Sequence, residues 1–257
     1  MEIQSLNVTE TAKKALAELL DLVKPGTEGI QGLPASNRFK IPVVKIVQPT
    51  SLTKSDCPQT ARPGQLYIPN VNLGSSIDIV PVFAYSSRTM FTPGNNDGMI
   101  ECSSLDMKTG SKYGKCQDCP NLPWRDNMRT DCIDNIVIYA LTSDLKGLVK
   151  VIFSKTSEAS GKFLVRQAST KRCIWDTVFT LSTESKSKNG KSWLQWKTAV
   201  SGTLPSEDVK DVAREISRMC KEDWETLSAK KDQQLELQPN PNLVQISEED
   251  SDGNLPF

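Results

Sequence analysis

Seven cysteines and a complete absence of histidine define the metal and redox chemistry open to this chain of 257 residues. Four of the cysteines are spaced as a knuckle with two arms. Only Gln117 and Asp118 separate Cys116 from Cys119, thirteen residues lie between Cys102 and the knuckle, and twelve lie between the knuckle and Cys132. Those lengths suit two segments closing on one tetrahedral zinc ion held by four thiolates. A closed four-thiolate site keeps no position for water or substrate, so the expected role of zinc is structural. The segments from Ser103 to Lys115 and from Pro120 to Asp131 are polar and broken by Gly and Pro. A metal would supply the order that so little apolar surface does not. Cys57, Cys173 and Cys220 read as small buried or half-exposed residues with no role in chemistry.

Other chemistries are poorly served. Without histidine, Ser-His-Asp and Cys-His nucleophilic machinery has no base. No GxxxxGK[ST] occurs, and no GxGxxG follows a strand. Acidic residues are scattered, with no spacing like a nuclease metal site. The expectation is a protein that is not an enzyme. A net charge of zero conceals a division: residues 38–200 carry 22 Lys and Arg against 13 Asp and Glu, and the remainder carries 9 against 18. A basic body with acidic ends points to a polyanionic partner.

Aromatic residues are interleaved with those cations. Lys150, Lys155, Lys162, Arg166, Lys191 and Lys197 alternate with Phe153, Phe163, Trp175, Phe179, Trp193 and Trp196, and Lys186 and Lys188 fall in the same stretch. Single-stranded nucleic acid is held by this mixture, cations for phosphates and flat rings for unpaired bases. In the run from Ser192 to Lys197, strand alternation places Trp193, Gln195 and Lys197 on one face and Leu194 and Trp196 on the other. Trp193 is therefore the expected stacking residue and Trp196 the expected core residue. Tyr85 and Arg88, leaving a long strand near Phe91, are expected to form a second platform. Trp124, with Arg125 and Arg129, is expected to pack over the knuckle.

The elements that must position these groups are mainly strands. Residues 8–24 read as a helix capped by Asn7 and stopped by Pro25-Gly26, which with the following linker makes a segment 1–37. From 38 to 200 the period is that of strands: Lys40–Val47, Gln65–Ile68, Ser76–Tyr85, Asn135–Leu141, Gly147–Phe153, Lys162–Gln167, Ile174–Ser182 and Ser192–Val200. Asn189-Gly190 between the last two is a strong hairpin signal. The predicted fold is mainly β with flanking helices (α+β), an OB-like β-barrel with a four-cysteine zinc-binding insertion at 102–132, since no helical crossover alternates with the strands. A helix follows within 201–230, with Val209, Val212, Ile216, Met219 and Trp224 on one side, and the acidic tail 231–257 is expected to be disordered. The start lacks a basic segment followed by an apolar run, and no stretch is long enough to span a bilayer, so the expected compartment is the cytoplasm.

The tail is the most specific functional signal. Glu248, Glu249, Asp250 and Asp252 precede Asn254-Leu255-Pro256-Phe257. A pocket with a cation at its rim would capture the final ring and carboxylate together. This ending resembles the acidic tip of bacterial single-stranded-DNA-binding proteins, although Gly253-Asn254 separate the last acid from Leu255. From about residue 38 to Phe257 the architecture more closely resembles the single-stranded-DNA-binding proteins of bacteriophage replication, with the tail and the cysteine knuckle as the specific motifs. That resemblance implies an OB fold, a structural zinc in some members, and a tail that recruits replication proteins and competes with DNA, with Leu255, Pro256 and Phe257 as partner contacts. It also implies a role in coating ssDNA during replication and recombination in the host cytoplasm, away from membranes. The alternative is a zinc-containing phage transcription or assembly factor that meets duplex DNA or RNA polymerase.

Overall fold

The computed structural model describes residues 14, 17, 18, 41–92, 100–122, 131–143, 147–202 and 205–236, except the side chains of 223 and 227–236. Most of the expected helix 8–24, the Trp124 segment, and the tail with Leu255, Pro256 and Phe257 lie outside the described residues. No helix among the described residues is long and apolar enough to cross a membrane.

From residue 41 on, the described residues are mostly β, a curled sheet flanked by two helices. In chain order its strands are β1 (Val43–Ile46), β2 (Leu66–Ile68), β3 (Val71–Gly74), β4 (Ser76–Phe91), β5 (Ile100–Ser104), β6 (Thr109–Gly110), β7 (Gly114–Lys115), β8 (Cys132–Thr142) and β9 (Leu148–Ser154). Helix α1 (Glu158–Ser169) leads to β10 (Phe179–Lys188) and β11 (Lys191–Val200), and helix α2 (Glu207–Glu236) follows. Nine strands form one sheet in the order β11-β10-β4-β8-β9-β1-β2-β3, with β5 also on β4. Among the described strands only β1 and β9 pair in parallel.

Strand β4 shares itself among three partners. Ser76 to Ile79 pair with β10, Ile79 to Met90 pair with β8, and Arg88 to Phe91 pair with β5. Its register against β8 slips by one residue between Pro81 and Phe83. A bulge there bends the strand, and Pro81, which has no N–H to donate, sits where the ladder is interrupted. The other end of the sheet curls back. Gln48, just past β1, donates from Nε2 to the Leu194 carbonyl at 2.7 Å and accepts the Leu194 N–H at 3.3 Å. Ser157 and Ser160 do the same for the backbone of Trp196. Side chains thus satisfy a strand edge that would otherwise be open.

Alternation along the strands gives the sheet two apolar faces. The inner face packs Ile79, Ile138, Val151, Phe153, Phe179, Leu181 and Trp196 against Leu164 and Ala168 of α1. The outer face receives Val209, Val212, Ala213, Ile216 and Cys220 of α2 on Val80, Val82, Leu141 and Leu148. Ser206 caps α2 by accepting the Val209 N–H, with Glu207 and Asp208 favourably placed in its first turn. The helix runs to Glu236, six residues beyond the expected boundary at 230.

The stretch from Lys162 to Gln167, expected as a strand, is the middle of α1. Phe163-Leu164-Val165 imitates a strand locally, but the buried positions are Gly161, Leu164 and Ala168, a helical spacing. Likewise the strand expected from Ile174 begins only at Phe179, after a 3-10 turn. Gly161 lies so close to Phe153 that a Cβ would fall 2.7 Å from the Phe153 Cβ. Gly161→Ala should therefore lower stability by about 1–3 kcal/mol through overpacking, read as a lower midpoint in denaturant unfolding.

Candidate functional site

Two places gather chemistry: a cavity at the end of β4 and a two-stranded ribbon at the start of the sheet's edge. The cavity is built by register. Met90 pairs with Cys102 on β5 and with Cys132 on β8, so the three side chains form one row on one face. Two residues along, Arg88 pairs with Ser104 and with Asp134, giving a second row on that same face. Cys102 and Cys132 are thus strand residues rather than loop residues. Cys116 and Cys119 close over the row from a 3-10 turn, Cys116–Asp118, in which the Cys119 N–H reaches the Cys116 carbonyl at 3.2 Å. All four cysteines line a single small cavity with Arg88, Met90, Gly110 and Tyr113.

Gly110 leaves room at this centre. A Cβ there would stand 2.9 Å from the Cys102 sulfur and 3.8 Å from the Cys116 sulfur. The donor set, four thiols without histidine, is one that zinc accepts. Cys102 and Cys132 flank Met90 with their backbones about 10 Å apart, two strand spacings. Among the described residues no three cysteine, aspartate or glutamate side chains converge closely enough to hold an ion as they stand. Burial pushes the Cys132 thiol up to about 11, with Arg88 opposing it.

Arg88 does not face a groove. Its Nε donates to Asp134 at 2.8 Å and another nitrogen donates to the Met107 carbonyl at 3.1 Å, while the side chain lines the same cavity as Cys116. Tyr85 is also drawn inward. Its ring packs against Phe83, Tyr139 and Trp224 at 5.8–6.3 Å, under α2. Burial raises the Tyr85 hydroxyl pKa. Trp224 in turn donates to the Leu105 carbonyl at 3.3 Å, tying α2 to the cysteine segment. The expected Tyr85–Arg88 platform is therefore packed structure. Phe91 remains 40% exposed beside Ile100 at 60%, at the end of β4 opposite its pairing with β10.

The ribbon is β10 and β11 beyond the body of the sheet, where residues 185–192 are exposed. Asn189 and Gly190 both have positive φ, as a two-residue hairpin turn of type I′ needs, and Lys188 faces Lys191 across it. Register then sets Lys186 opposite Trp193, Glu184 opposite Gln195 and Ser182 opposite Lys197. One face of the ribbon accordingly carries Lys186, Lys188, Lys191, Lys197 and the half-buried Trp193. Trp196 points the other way and is 4% exposed, with its ring 5.9 Å from that of Phe153. Glu184 is the one acid on the basic face. The Gln195 amide at 2.8 Å and the Lys186 ammonium at 3.2 Å hold its carboxyl below its ordinary pKa. Among the described residues Lys188, Lys191 and Lys197 make no ion pair.

The other expected contacts are dispersed. Lys155 and Arg166 are exposed in and before α1, and Lys162 is ion-paired with Glu158 at 2.6 Å. Lys150 is half-buried on β9 opposite Tyr139, and burial lowers its pKa. Lys186 and Lys188 gain their importance from the hairpin register, which alternation from the Asn-Gly turn would have supplied.

A protein-family model described as Pam3 phage gp34-like protein matches residues 10–225. The chain belongs to that family. Its matched span takes in the cysteine cavity, the ribbon and most of α2, and it assigns the chain to phage proteins. No curated protein and no solved structure matches the chain.

The cysteine segment is also ordered by Asp106. Its carboxylate accepts the Ser104 hydroxyl at 2.9 Å and the N–H groups of Lys108 and Thr109 at 2.8 and 3.1 Å. Burial pulls its pKa upward, but those donors prevail and hold it below the ordinary carboxylate value. A depressed folded pKa means stability present above the unfolded value and lost as pH falls through the folded one. Asp106→Asn should cost about 1 kcal/mol at pH 7, and thermal melts of the two proteins should converge in acid once Asp106 is protonated.

Proposed function

We propose that this chain is a single-stranded-DNA-binding protein of a phage, with the β10–β11 ribbon as its principal contact. The observation that carries the reading is the single ribbon face bearing four lysines and Trp193. Cations spaced along a strand pair suit a phosphate backbone, and an open ring beside them suits an unpaired base. Lys155, Lys162 and Arg166 extend positive charge beyond the ribbon, and Lys150 offers a cation near Tyr139.

The topology supports an OB-like barrel. Spatial order β10-β4-β8-β9 is that of a Greek key, three consecutive strands with the fourth returning beside the first. With β11 added, these five strands of the nine are read as a partly open Greek-key barrel of the OB type. In that architecture the loops between the first and second strands and between the fourth and fifth flank the oligonucleotide face. Here the first of these is the cysteine insertion and the second is the ribbon turn. The cavity of Cys102, Cys116, Cys119 and Cys132 is read as a structural zinc site that would fix the insertion. The acidic tail with Leu255, Pro256 and Phe257 is read as the recruiter of replication proteins. The protein has no catalytic role in this reading.

Two measurements test it. Purified protein should carry about one zinc per chain by elemental analysis, and Cys116→Ser should lose it. In gel shifts at two salt concentrations, oligo-dT should bind in preference to duplex and RNA. Trp193→Ala should weaken binding by about 1–3 kcal/mol. Replacing Lys188 and Lys191 by Gln should reduce the slope of log K against log salt by about 0.7 per lysine. Preference for duplex would favour the transcription-factor alternative, since the major groove also admits a two-stranded ribbon. No binding to oligo-dT in dilute buffer would end the proposal.

A further inference from the structure

The second row beside the cysteines, Arg88 with Ser104 and Asp134, has a chemistry that points at the metal reading on which this inference rests. A four-thiolate site around a divalent ion carries two surplus negative charges. Arg88 is the cation that β4 delivers to it, one same-face row away from Met90. Its side chain is only 17% exposed. The guanidinium donates to Asp134 and to the Met107 carbonyl, and it lines the same cavity as Cys116 and the other three cysteines. Asp134 lies two residues beyond Cys132 on β8, so the anchor of Arg88 and one proposed ligand share a strand. The Met107 carbonyl lies just before Lys108, whose own carbonyl accepts the Cys116 N–H at 2.7 Å. One planar group therefore joins β8 to the segment whose next carbonyl holds the knuckle. A planar fork of donors suits this arrangement, and a lysine would not span it.

We propose that Arg88 is a positioning residue of the four-cysteine centre: it donates a hydrogen bond to the Cys116 thiolate, offsets the centre's negative charge, and is aimed by Asp134. The assignment gives the pair Arg88–Asp134 a purpose that sheet stability does not require. Second-shell partners of this kind orient a ligand and tune how firmly it holds the ion.

The test uses the full chain and zinc ion alone, with affinity read by competition against a chromophoric chelator. Arg88→Met should bind zinc about 10- to 100-fold more weakly than the natural chain, with an unchanged far-UV circular dichroism spectrum. Arg88→Lys should fall between the two. In the cobalt(II) form, the thiolate-to-cobalt charge-transfer band should shift in Arg88→Met, because Cys116 has lost its N–H donor. A purely structural role would leave that band in place. If the natural chain binds zinc and Arg88→Met matches it in affinity and band position, the assignment is overturned and the four-thiolate reading stands. If the natural chain takes up no zinc, both fall. Should Arg88→Met not fold, Asp134→Asn decides in its place: weaker zinc binding supports the assignment, and unchanged binding overturns it.

Discussion

The centre of the described sheet depends on the backbone hydrogen bonds of one strand. β4 runs for sixteen residues and must satisfy both of its edges along that length. On one side β8 does so for most of the way. On the other side β10 serves the first residues and β5 the last. The change of partner is feasible because the strand bends at the Pro81–Phe83 register slip. The ribbon and the cysteine cavity sit at opposite ends of β4, so a single ladder sets the position of both.

The curl that follows has a cost that side chains meet. A sheet rolled this far brings β11 towards β1 without pairing them, and edge groups left unpaired invite association with other chains. Gln48, Ser157 and Ser160 supply the missing partners at Leu194 and Trp196. The same stretch of β11 keeps Trp196 in the inner core and turns Trp193 outward. Sealing the edge there leaves the turn beyond it free to project, and the lysines of the ribbon stay in water where their charge is cheap to maintain.

The cations of the ribbon and of the cysteine cavity are of two kinds. Those of the ribbon are exposed, and Glu184 offsets only Lys186 among them. Arg88 is enclosed, held by Asp134 and the Met107 carbonyl, and lines the cavity of the four cysteines. The distinction is one of dielectric: an enclosed charge must be paired, and its partners then become part of whatever it touches. Tyr85 follows the same logic among aromatics, spending its ring on Trp224 and Tyr139 rather than on solvent.

Much of the local order was legible in the sequence. The Asn189-Gly190 turn, the opposite facing of Trp193 and Trp196, the Cys116–Cys119 knuckle and the apolar side of α2 all follow from spacings of one to four residues, which backbone geometry translates directly. Three outcomes could not be read that way. The run around Leu164 is apolar enough for either period, and burial of Gly161, Leu164 and Ala168 against the inner face of the sheet goes with the helix. Arg88 and Tyr85 looked like surface groups until β5, β8 and α2 were laid beside them. The neighbours of Arg88 lie sixteen and forty-six residues away along the chain. Sequence by itself determined which residues alternate, turn and cap, because those depend on bonds within a few residues. Tertiary structure alone decided which charges are spent and which remain open, because that depends on strands brought together from distant parts of the chain.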